Sequence, residues 1–118
     1  MTDWNPVTVE QAIHDCAQRI AKGVMKTDTA YRLFQKADHD YDLAAAKAYL
    51  AEDGPAHERK YRTELATIDE RLARDAADAA YRLMDRNMKA LMAELDAYRS
   101  IGTSVRQAYS VAGRGEGL

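Results

Sequence analysis

The chain has 118 residues, 17 Lys and Arg against 19 Asp and Glu, a net charge of -2 and 31% charged residues. That length suits one domain, and the charge balance offers no strong field to gather a polyanion. Cys16 is the single cysteine, so no internal disulfide forms, which fits a reducing compartment.

Met1 to Asn5 is a short lead. Met1-Thr2-Asp3-Trp4 lacks the basic and apolar regions of a signal peptide, and no stretch is apolar enough to span a bilayer. A cytoplasmic protein with no membrane association is therefore expected. Thr8-Val9-Glu10-Gln11 has the form of a capping box, with Thr8 as the cap and Gln11 three residues on. Apolar or small residues then recur every seven positions at Ile13, Ile20, Thr27, Phe34, Tyr41 and Ala48. A second row four further on, Ala17, Val24, Tyr31, Asp38 and Ala45, completes a heptad seam. Gly23 is the one interior glycine of this arm, a place where the helix would kink or split.

Glu52-Asp53-Gly54-Pro55-Ala56 divides the chain. Gly54 suits the left-handed position just past a helix end, and Pro55 the first position of the next helix. The two arms, residues 7–52 and 55–100, are each about 46 residues, roughly 69 Å of helix at the standard rise. Equal arms about a tight turn predict an all-α antiparallel helical hairpin, coiled-coil-like, within one domain of residues 1–112.

On the second arm Tyr61, Leu65, Ile68, Leu72, Ala76, Ala79 and Leu83 step by three and four, and the row resumes at Leu91, Leu95 and Tyr98. Met84, Met88 and Met92 form a neighbouring stripe. This width, with small residues at 76–80, predicts a further neighbour and an oligomeric bundle. The predicted seam for that neighbour is Leu83, Met84, Met88, Leu91, Met92 and Leu95. Gly102 marks a hinge before a short helical extension over 103–112, and 113–118 reads as a flexible tail.

Candidate chemistry is sparse. Asp38-His39-Asp40-Tyr41-Asp42 fails as a calcium loop, because Leu43 and Tyr49 stand where glycine and glutamate are needed. A solvated acidic face is the better account. His14, His39 and His57 lack metal-ligand spacing, and His14 and Cys16 lie on different helix faces. Gly113-x-Gly115-x-Gly117 has no preceding strand and cannot cradle a dinucleotide. No catalytic residue, cofactor or metal is expected. Tyr98, Arg99, Arg106, Tyr109 and Arg114 interleave aromatic rings and cations, a pattern that stacks on single-stranded bases and meets phosphates.

Ala45-Ala46-Lys47-Ala48-Tyr49-Leu50, Gly54-Pro55-Ala56-His57-Glu58-Arg59-Lys60, Ala79-Ala80-Tyr81-Arg82 and the stretch from Leu95 to Ser104 follow one rhythm. Across residues 30–112 it resembles small helical proteins encoded by actinobacterial phages. The resemblance implies a setting near phage recombination and DNA metabolism, in the host cytoplasm, and carries no catalytic motif. The expected function is a non-enzymatic accessory protein that oligomerises through its helices and binds a host or phage protein. The alternative is a nucleic-acid-associated accessory of recombination or replication that uses the C-terminal Arg/Tyr segment.

Overall fold

A computed structural model describes residues 3–116, with side chains through residue 113. It contains α1 (Pro6–Ala51), α2 (Ala56–Ala66) and α3 (Ile68–Glu116), and no strand among the described residues. α1 and α3 pack against each other as a helical hairpin.

The start of α1 is capped three residues earlier than the sequence suggests. Asn5 Oδ1 accepts from the backbone N–H of Val7 at 2.9 Å and of Thr8 at 3.0 Å. Thr8 Oγ1 answers by accepting from Asn5 N–H at 2.9 Å. This is a reciprocal box with Thr8 in the third helical position rather than at the cap. Pro6 takes the first position, where a missing N–H costs nothing.

The chain forms two compact units. In the first, residues 1–25 with 86–118, the inner face of α1 carries Val9, Ile13, Cys16, Ile20 and Gly23, none of them exposed. Opposite it, α3 presents Met88, Leu91, Leu95, Tyr98, Gly102 and Val105. Val9 and Cys16 are fully buried. The Cys16 thiol donates to the Leu91 carbonyl at 3.4 Å. Neither glycine interrupts its helix. Gly23 is where Met88 Sδ lies against the α1 backbone, and Gly102 is where Val9 and Ile13 reach α3. Both glycines act as sites of close approach, so the kink expected at Gly23 and the hinge expected at Gly102 are absent. α3 runs on past position 113, where the sequence suggests a tail, to Glu116. No proline intervenes to stop it. The rest of that tail lies outside the described residues.

In the second unit, residues 26–85, Thr27, Ala30, Phe34, Ala37, Tyr41, Ala44 and Ala48 line the inner face of α1. Arg74, Ala77, Tyr81 and Met84 line that of α3. The rings of Tyr31 and Tyr81 meet at 5.0 Å between centroids. At the turn, Gly54 takes φ +116° and Pro55 holds the cap position of α2, one residue ahead of the first turn. Arg59 Nη2 donates to the Tyr49 carbonyl at 2.8 Å, and its guanidinium lies 4.2 Å from the centre of the Tyr49 ring. One side chain of α2 therefore shares the Tyr49 carbonyl with the Glu52 N–H, which donates at 3.4 Å, and ties α2 to the end of α1. Tyr49 thus meets Arg59 across the turn, while Tyr61 is 63% exposed.

The second arm is not one helix. Thr67 sits at φ -117°, ψ 22° between α2 and α3. Thr63 Oγ1 donates back to the Arg59 carbonyl at 2.7 Å and Thr67 Oγ1 to the Thr63 carbonyl at 2.8 Å. Two consecutive back-bonded threonines bend a helix.

Two seam assignments are corrected. On α1 the row of Ile13, Ile20, Thr27, Phe34, Tyr41 and Ala48 does face inward, with the small residues Cys16, Gly23, Ala30, Ala37 and Ala44 beside it. Of the expected second row, Asp38 and Ala45 are half-buried at the rim of that face, while Ala17 is exposed, Val24 is 56% exposed and Tyr31 41%. On the second arm, Tyr61, Leu65, Leu72, Ala76, Ala79 and Leu83 all face solvent.

Candidate functional site

That outward row is the principal feature of the second unit. Leu65 is 70% exposed, Leu72 and Leu83 57% each, and Ile68 37%. On α3, at 100° per residue, Ile68, Leu72, Ala76, Ala79 and Leu83 fall within one stripe on the side away from the residues that meet α1, and Leu65 is exposed on α2 before the break. α3 is thus apolar on two faces, of which the hairpin covers one.

Polar residues border the stripe unequally. Glu64, Arg71, Asp75 and Arg82 line one edge at heptad spacing. Ala73 and Ala80, with the exposed Asp69 between them and the stripe, line the other on α3. Arg82 Nε holds Asp78 at 3.0 Å, and Asp75 meets Arg74 at 3.3 Å. On α1 the exposed Leu33, Leu43 and Leu50 are separated by Lys36, His39 and Lys47 and form no row.

The six residues of the predicted partner seam divide. Leu83 belongs to the outward stripe. Met92 is 57% exposed, in the first unit. Met84, Met88, Leu91 and Leu95 are half-buried on the face that meets α1. Leu65, Ile68, Leu72 and Ala76, which the sequence reading placed inside, are the residues left facing outward. The signal that could have found them is the charged edge beside them, since alternating charges at heptad spacing mark the border of a docking stripe.

The described members of the predicted nucleic-acid set lie along α3 and differ in exposure. Tyr98 is half-buried, its ring 5.7 Å from that of Trp4 and its hydroxyl donating to Glu94 Oε1 at 2.8 Å. That hydrogen bond, followed by partial burial, raises the Tyr98 phenol above its ordinary value. Glu94 also meets Arg19 at 3.4 Å. Arg99 pairs with Asp96 at 3.7 Å. Arg106 and Tyr109 are exposed. The Arg114 side chain lies outside those described.

The acidic run is met by cations. Arg74 lies 3.9 Å from Asp38 and 4.4 Å from the centre of the Tyr41 ring, and Lys36 holds Asp40 at 2.8 Å. Among the described residues no group of three or more His, Cys, Asp or Glu is arranged to hold a metal ion. Among the described residues, no helix is long and apolar enough to cross a membrane.

No protein-family model matches the sequence, and neither a curated protein nor a solved structure matches it.

Proposed function

We propose that the chain is a non-enzymatic helical interaction protein, an accessory that oligomerises and docks a host or phage protein in the cytoplasm. The observation that supports this reading is the exposed row of Leu65, Ile68, Leu72 and Leu83 on the side of the second arm away from α1. A row of this length at helical spacing is what a helix-on-helix contact uses, and isolated surface leucines do not form one. For the nucleic-acid alternative, Arg99, Arg106 and Tyr109 are exposed among the described side chains, Arg99 beside Asp96, while Tyr98 is half-buried and donates to Glu94.

Affinity capture from host lysate tests the reading. Proteins retained by the wild-type chain should be lost with Leu72→Glu, a solvent-facing substitution that leaves helicity unchanged. Equal capture by both chains would overturn it.

A further inference from the structure

We infer that Met88 is a reversible oxidation switch for the helical seam. Conversion of its thioether to the sulfoxide loosens α1 from α3 at Gly23, and reduction closes the seam again. The oxidant is hydrogen peroxide or another small peroxide. Its O–O bond breaks, one oxygen atom passes to Sδ, the sulfur gives up two electrons, and the remainder leaves, in the case of hydrogen peroxide, as water.

The contact singles out one methionine. Met88 Sδ lies so close to the α1 backbone at Gly23 that a Cβ there would overlap it, and Met88 Cε and Cγ stand 3.6 and 3.8 Å from the same point. Glycine leaves a notch in α1, and an unbranched, adaptable side chain fills it. Around the notch α1 is a continuous helix, its peptide groups bonded along the axis. The thiol on this inner face, Cys16, already donates to the Leu91 carbonyl. A sulfoxide is polar and its oxygen is an acceptor. Held in the seam, that oxygen loses its water. Turned out to water, it withdraws the side chain from the notch, and glycine has no side chain to fill the gap. Either outcome costs packing between α1 and α3.

Met88 is half-buried rather than enclosed, so its side chain stays partly open to a small peroxide. Met25 and Met92, in the same unit, are 72% and 57% exposed. Their sulfoxides keep their water and leave the seam intact. They react first and consume oxidant, so Met88 responds only to a larger dose. Met84 is half-buried in the second unit, where the only glycine, Gly54, is at the turn.

Peroxide titration, with peptide mass mapping of each methionine and urea unfolding of the full chain, tests this. In the wild-type chain, conversion of Met25 and Met92 should leave the urea midpoint in place, and the midpoint should then fall in step with Met88. A chain carrying Met25→Leu, Met84→Leu and Met92→Leu should lose roughly tenfold or more in its folding equilibrium constant once Met88 is converted. Reductases for both sulfoxide epimers, supplied with a dithiol, should restore it. Dithiothreitol alone, which reverses mild oxidation of Cys16, should not. A Met88→Leu chain should hold its midpoint through the same dose. Unchanged unfolding with Met88 fully converted, a midpoint that follows any other methionine, recovery with dithiothreitol alone, or an equal loss in the Met88→Leu chain would each overturn the inference.

Discussion

Replacing Gly23 with alanine sets two effects of similar size against each other. Alanine is favoured over glycine inside a helix by about 1 kcal/mol, because glycine loses more backbone freedom on folding. α1 is continuous through this position, so that gain is available. Against it, a methyl at Gly23 would overlap Met88 Sδ, with Met88 Cε at 3.6 Å and Cγ at 3.8 Å. Methionine is flexible, yet here it lies in the seam between two helices and has to leave its rotamer or push α1 away. Overpacking of this kind costs about 1–3 kcal/mol. Gly23→Ala should therefore destabilise the chain by about 1 kcal/mol net. In a Met88→Ala background the overlap is gone, and the same substitution should stabilise by about 1 kcal/mol. The coupling between the two positions is then about 2 kcal/mol, well above the usual limit of additivity. Urea unfolding followed by circular dichroism at fixed protein concentration measures all four corners of the cycle. A gain of about 1 kcal/mol from Gly23→Ala in both backgrounds would refute the close approach.

Three further substitutions probe the ends and the corner by the same unfolding measurement. Asn5→Ala removes the acceptor for the N–H groups of Val7 and Thr8 and should cost about 1 kcal/mol. Gly54→Ala forces a Cβ onto a backbone at φ +116° and should cost about 1–3 kcal/mol. Arg59→Ala removes one of the two donors to the Tyr49 carbonyl and uncovers the Tyr49 ring, for a loss of about 1 kcal/mol. Tyr98→Phe tests the raised phenol. Its folded value lies above the ordinary value of about 10, so the Glu94 bond contributes fully below that pH and is lost as pH rises through the folded value. The stability difference between wild type and Tyr98→Phe should shrink in strongly alkaline buffer, and tyrosinate absorbance should show one late-titrating phenol that the variant lacks.

The corner and the helical class were legible because glycine and proline have few interchangeable uses. Gly54-Pro55 admits little besides a helix stop followed by a start. The inner face was harder to read for a physical reason. Periodicity reports that a face is apolar, not what covers it, and α3 carries two apolar faces with the same spacing. The hairpin uses the face of Tyr81, Met84 and Met88 and leaves that of Leu65, Leu72 and Leu83 outward. On α1 the bulky Val24 and Tyr31 were the natural choice for a second row. The structure uses Gly23 and Ala30 instead, since large side chains on α3 need small ones opposite. The capping box was displaced because Asn5 and Thr8 form it with the roles of a less familiar variant. The break at Thr67 left no composition signal, as threonine is common inside helices and only its backbone at φ -117°, ψ 22° marks the interruption.

The side of α3 that meets α1 is tested most directly by urea unfolding of two single variants, Leu72→Glu and Met88→Glu. Leu72 is 57% exposed, so Leu72→Glu should change stability by no more than about 0.5 kcal/mol. Met88 lies against Gly23, so Met88→Glu should cost about 1–3 kcal/mol by placing a polar group in the seam. Equal losses at the two positions, or the larger loss at Leu72, would contradict the account.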